Sequence, residues 1–173
     1  MEDVLDLIFK RRSIRIYDRK KLEKETITKL LQAAMAAPSA SNSRPWEFIV
    51  VTDPETLDKM RSKLKYGNYN APAAVIVCGN LAIAQNDSAT RYWQQDCSAA
   101  TENLLLAAAG LGLGTCWVAS YPKEDVMGML RNTLEIPEDV NPLNVIFVGY
   151  PAEEKAPRTQ FDESRVHWEK YTN

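Results

Sequence analysis

The chain has one histidine, His167, and three cysteines, Cys78, Cys97 and Cys116, none in a CxxC pair. Transition-metal sites are built from clusters of such ligands, so this scarcity argues against a metal site. An odd number of cysteines in apolar surroundings, with no signal peptide ahead of them, fits reduced thiols and a cytoplasmic setting. Long apolar runs are also missing. The longest, Leu104 to Ala109, falls far short of the ~20 residues that cross a bilayer. No Ser/Gly-rich linker or charge block divides the chain, and 173 residues at 45% hydrophobic content suffice for one core. A single domain over residues 1–173 is expected.

Charge of one sign is nearly balanced, at −2 overall, which argues against general nucleic-acid or membrane-surface binding. Its distribution is uneven. Residues 10–24 carry +6 and the remainder −8. A basic segment on an acidic protein suggests a local anion site, with a solvated helix end as the plain alternative. Within it, Arg11 and Arg15 supply planar forks suited to a phosphate or a carbonyl-rich ring edge, and Ser13 places a hydroxyl between them.

A second polar stretch, Pro38-Ser39-Ala40-Ser41-Asn42-Ser43-Arg44-Pro45-Trp46, follows an amphipathic helix over 25–36 whose apolar positions are Ile27, Leu30, Leu31, Ala34 and Met35. The residue before Pro38 is pushed out of the α region, so the helix stops and a fixed loop begins. Its hydroxyls, amide and backbone donors suit the rim of a planar, polar-edged ligand, or an ordinary helix-to-strand connection. The apolar positions Val4, Leu5, Ile8 and Phe9 predict a helix before the arginines. Strands are predicted over 46–51, 73–78, 115–119 and 142–149, and further helices over 54–64, 88–109 and 122–131. Trp93, Cys97, Ala100, Leu104, Ala107 and Leu111 form one seam of the long helix. Gly110, Gly112 and Gly114 mimic a dinucleotide fingerprint, but they follow a helix and precede a strand, the reverse of the order that motif requires. The polar tail from Tyr150 carries Trp168 and Tyr171 as apolar anchors, and such a tail wraps a neighbour or frays.

An RRSIR segment, an APSASN…PW loop and a GLGTCW turn, in this order and with Pro157-Arg158 and Arg165-Val166-His167 near the end, resemble the FMN-dependent nitroreductase family over nearly the whole chain. The resemblance implies an α+β fold with a central mixed sheet covered by helices, and a homodimer with two FMN sites at the subunit interface. It places Arg11, Arg12 and Ser13 at the FMN phosphate and ribityl chain and Arg15 at the pyrimidine edge. Pro38, Ser39, Ala40 and Asn42 reach the cofactor largely from the other subunit. An asparagine near 68–70 also contacts the flavin; Asn70 is a candidate, with Asn68 equally open. The N–H groups of Val118, Ala119 and Ser120 face N5 and O4. Arg158 serves the phosphate end. Two departures stand out: Arg44 where many relatives have glutamine, and Gln160 where they carry a second cation, which leaves the phosphate to Arg158. The implied activity is ping-pong hydride transfer from NADH or NADPH, through FMN, to a nitroaromatic, quinone or related acceptor. No side chain need serve as acid, base or nucleophile. A flavin-binding sensor or carrier without turnover is the alternative.

Overall fold

A computed structural model describes residues 3–171. Helix α1, Val4–Lys10, is capped by Asp3, whose Oδ1 accepts the Leu5 N–H at 3.2 Å. The remaining elements are α2 (Lys24–Met35), β1 (Trp46–Val51), α3 (Pro54–Lys63), β2 (Ala73–Asn80), α4 (Ala89–Gly110), β3 (Gly114–Ala119), α5 (Glu124–Leu134) and β4 (Val140–Gly149). Local chemistry accounts for most of the boundaries. Asp53 accepts the Thr56 N–H at 2.8 Å with Pro54 at the first helical position of α3, the arrangement that satisfies an orphan donor without needing the proline's own. Gly112, at φ 71, takes the left-handed turn that ends α4, and the Leu113 N–H returns to the Ala108 carbonyl at 2.8 Å.

The sheet runs β1-β2-β4-β3, and every neighbouring pair is antiparallel. The α+β class therefore holds, while the parallel component of the expected mixed sheet is confined to an isolated bridge between Ser13 and Thr115. Helices cover both faces. Val75 and Val77 of β2 pack with Leu30, Trp93, Cys97 and Leu104 from α2 and α4, whereas Ala74, Ile76 and Cys78 pack with Leu57, Met60 and Leu130 from α3 and α5. This two-sided cover explains why β2 reads as a continuous apolar run instead of an alternation. Burial pushes the Cys78 and Cys97 thiols up to about 12, which keeps them protonated and inert.

Three expected helical stripes differ from the structure. Met35, at the end of α2, is 52% exposed and drops out of that helix's core face. Leu111 leaves the α4 seam because it lies beyond the helix as its C-cap and is 46% exposed. Helix α1 buries none of its residues, and Val4, Leu5 and Ile8 face outward. The tail aromatics Phe161, Trp168 and Tyr171 are likewise exposed. Among the described residues no helix is long and apolar enough to cross a membrane.

Candidate functional site: an arginine arm, a strained loop and an open strand edge

The arginine-bearing arm after α1 is fixed from both sides. The Ile14 N–H donates to the Thr115 carbonyl at 2.8 Å, which docks the arm against the start of β3. Gly114 permits this approach, since a Cβ there would lie 2.8 Å from Ile14 Cβ. On the other flank the Ala152 N–H donates to the Ile16 carbonyl at 2.9 Å and the Asp18 N–H to the Tyr150 carbonyl at 2.9 Å. The Glu153 carboxylate accepts the backbone N–H groups of Arg15 and Ile16. Those contacts, led by the Arg15 N–H, hold its carboxyl below the usual carboxylate range. Lys155 pairs with Glu153 at 3.2 Å and donates to the Ser13 carbonyl at 2.6 Å. The Tyr17 hydroxyl, whose pKa is raised by burial, donates to the Ile14 carbonyl.

With its backbone so held, the arm presents its cations differently from one another. The Arg15 side chain is exposed, its Nη1 lies 3.5 Å from the Ser13 carbonyl, and its pKa is raised chiefly by Tyr69. Arg11 lies 3.5 Å from Glu102 on α4, Arg12 donates to the Ala156 carbonyl, and the Arg158 N–H donates to the Phe9 carbonyl at 3.1 Å. Asn70 also fastens the arm. Its Oδ1 accepts the Tyr17 N–H at 3.0 Å and its Nδ2 donates to the Tyr17 carbonyl at 2.7 Å. Both ends of the amide are thus taken up by the arm, and Asn68, exposed and without a side-chain hydrogen bond, is the asparagine left free.

The loop at Pro38–Arg44 is a constrained turn. Ser41, Asn42 and Arg44 all have positive φ, at 50, 56 and 49°, and such backbone costs a non-glycine residue roughly 1 kcal/mol. A carboxylate that the sequence reading passed over holds it. Asp96, 4% exposed on α4, accepts the Ala40 N–H at 2.8 Å and the Ser43 hydroxyl at 2.9 Å. The Ser39 hydroxyl also accepts the Arg44 N–H at 3.0 Å. An acidic residue inside the apolar spacing Trp93, Cys97, Ala100 was the available signal.

Strand β3 is an edge, and its pairing parity decides which backbone groups are open. The Ser120 N–H donates to the Leu143 carbonyl at 3.0 Å and its hydroxyl to the Pro142 carbonyl at 2.8 Å. In the shared register, bonded pairs alternate, so Val118 also points its N–H toward β4, while Trp117 and Ala119 point theirs outward. This corrects the expectation for Ser120 and Val118. Of the three expected positions, Ala119 alone offers its N–H to a ligand, and Trp117 joins it. Beyond this edge lies a cavity of about 320 Å³ lined by Arg15, Tyr66, Tyr69, Cys116, Trp117 and Ala119, among others. Pro38, Ser39 and Ala40 border a different cavity, with Tyr92 and Asp96. Within one chain the arm and the loop therefore do not share a site.

A planar ring with polar atoms along one edge fits this geometry: aromatic walls, outward N–H donors and a guanidinium beside them. The Nitroreductase family model matches residues 8–68 and 62–150. The chain belongs to the nitroreductase family. A nitroreductase relative from Archaeoglobus fulgidus, provisionally named NADH dehydrogenase/NAD(P)H nitroreductase, is 45% identical over 176 residues, covering 99% of this chain and 100% of the relative. A similarly named protein from Parabacteroides distasonis superposes with a TM-score of 0.92 at 40% identity, covering 99% and 100% of the two chains. An FMN-dependent nitroreductase from Clostridium difficile gives a TM-score of 0.86 at 32% identity, covering 96% and 99%.

Proposed function

We propose that this nitroreductase-family protein is an FMN-dependent oxidoreductase that draws hydride from NADH or NADPH and reduces nitroaromatics, quinones or related acceptors. The observation that carries the reading is the joint presence, in one cavity, of Arg15 and the outward N–H groups of Trp117 and Ala119. FMN, when bound, supplies the redox chemistry itself. The chain's part is to hold and tune it. Ala119 and Asn68 provide donors for the polar ring edge, Arg15 stands where negative charge develops on reduction, and Arg11, Arg12, Ser13 and Arg158 provide cations and a hydroxyl for the phosphate and ribityl end.

The same reading requires two copies. The loop donors at Ser39, Ala40 and Asn42 and the Arg15 cavity lie apart within one chain, so a ring touched by both takes one set from each subunit. The exposed stripe Val4, Leu5 and Ile8 and the aromatics Phe161, Trp168 and Tyr171 are surfaces that such a partner would cover. Obligate dimers usually bury more than ~2,000 Å². Purified protein should be yellow, sediment as a dimer with one FMN per chain, and oxidise NADH or NADPH when a quinone is added. A colourless monomer that ignores added FMN sinks the proposal. A yellow protein without turnover leaves the sensor or carrier.

The two arginines should separate by redox state. Replacing Arg15 with Met removes a charge that favours reduced over oxidised cofactor, and the midpoint potential should fall. A loss of ~1.4 kcal/mol corresponds to ~30 mV for a two-electron couple, which spectroelectrochemical titration resolves. Arg11→Met should instead weaken FMN binding about tenfold and leave the potential of the bound fraction in place, since a phosphate contact is common to both states. A potential that moves with Arg11 and not with Arg15 reverses the two assignments.

A further inference from the structure

The cavity beside β3 carries more positive charge than the ring edge requires. Arg15, Lys65 and Lys123 line it, and no carboxylate does. Arg15 is engaged by Tyr69, but the two lysines have no ion-pair partner among the described residues. Lys65 holds its ammonium over the Tyr66 ring, 5.4 Å from the centroid. Lys123 precedes α5 as its N-cap; Glu124 and Asp125, next along the chain, are exposed and form no part of the cavity wall. Two aromatic surfaces stand uncovered beside these cations, Tyr66 at 65% and Trp117 at 37% exposure. On a protein of net charge −2, an acid-free pocket of aromatic walls and unpaired ammonium groups selects for a flat molecule with negative charge on its rim.

We propose that the acceptor, which meets the bound flavin at the solvent side of this cavity, is an aromatic carrying a carboxylate or sulfonate, and that the exposed Lys65 and Lys123 select the anion. The inference rests on the FMN-dependent reading above and names its substrate class. For a quinone sulfonate the step is complete as written: the quinone gains one hydride, ultimately from NAD(P)H, and one proton from solvent to become the hydroquinone. The sulfonate is unchanged. Neither lysine transfers a proton or an electron; each contributes only attraction that is screened by salt.

The test compares para-nitrobenzoate with para-nitrobenzamide, and naphthoquinone sulfonate with naphthoquinone, in the holoenzyme and in a Lys65→Gln, Lys123→Gln double variant. Expected is a loss of about tenfold in kcat/KM for the anionic acceptors, ~1.4 kcal/mol, with the neutral ones within about twofold of the parent. The anionic preference of the parent should also shrink as ionic strength rises. Calorimetry of para-nitrobenzoate binding to the oxidised protein gives a readout independent of turnover, and affinity should drop in parallel. Equal losses for charged and neutral acceptors overturn the proposal. So does a raised KM for NADH or NADPH at an unchanged acceptor ratio, which would give the lysines to the donor's phosphates, or loss of FMN from the variant, which would give them to the cofactor's. If the parent carries no flavin, the functional reading fails by itself, and calorimetry still decides whether the two lysines hold the anion.

Discussion

Asp96→Ala should lower the melting temperature by roughly 10 °C and release bound FMN at least tenfold more readily. The change leaves the Ala40 N–H and the fully buried Ser43 hydroxyl without the acceptors they have at 2.8 and 2.9 Å. Each orphaned group costs about 1–3 kcal/mol, or about 3 kcal/mol together, and a domain of this size loses roughly 2–4 °C per kcal/mol. The loop keeps its bonds from Asn86 to the Ser41 carbonyl and from Gln85 to the Ser43 carbonyl but loses its buried anchor to α4, with the strain at Ser41, Asn42 and Arg44 still to be held. Asp96→Asn keeps a carbonyl for Ala40 and an amide for Ser43, so it should recover most of the loss. Differential scanning calorimetry and equilibrium dialysis with FMN measure both effects. An Asp96→Ala protein that melts and binds like the parent removes Asp96 from the loop's support.

Gly114→Ala should damage the site from the opposite side. The added Cβ would meet Ile14 Cβ and Cγ2 at 2.8 Å, well inside the ~3.5–4.0 Å of an ordinary carbon contact. Overpacking of this kind costs about 1–3 kcal/mol, and the Ile14 to Thr115 hydrogen bond is the contact that yields. The arm lifts from β3, and FMN affinity should fall about thirtyfold, ~2 kcal/mol. Ile14→Ala in the same chain removes two of the three colliding atoms, Cγ1 and Cγ2, and leaves the Cβ in place. A double-mutant cycle should therefore show a favourable coupling of at least ~1 kcal/mol, and strict additivity of the two changes would disprove the collision.

The elements were legible in the sequence because their signals are local. Pro38 ends α2 by constraining Ala37, Asp53-Pro54 opens α3, and the apolar repeat of Ile27, Leu30 and Ala34 does face the core. Ser120 was misread for a reason that lies outside its own segment. Only the pairing of β3 with β4 decides which N–H groups point to the open edge, and no residue type records it. The choice between Asn68 and Asn70 was open for the same reason, since Tyr17, 53 residues away, determines what the Asn70 amide does. Asp96 and Glu153 were missed because a carboxylate that binds backbone looks, in sequence, like any other acidic residue. The arm and the loop were recognised by their composition, while the groups that fix them in place are scattered.

The grip on the arm by Glu153 and Lys155 spans 138 and 142 residues of chain, and that separation sets an order of events during synthesis. The arginines leave the ribosome long before their clasp does. At roughly 5–20 residues per second the interval is on the order of ten seconds, by the end of which Glu102 and Thr115 are available to the arm while the Glu153 carboxylate and the Lys155 ammonium are still missing. A nascent chain that stops before residue 153 should fold much of its sheet and still fail to retain flavin. Cofactor capture is thereby tied to completion of the β4 flank, and flavin retention becomes a report on whether translation has passed it.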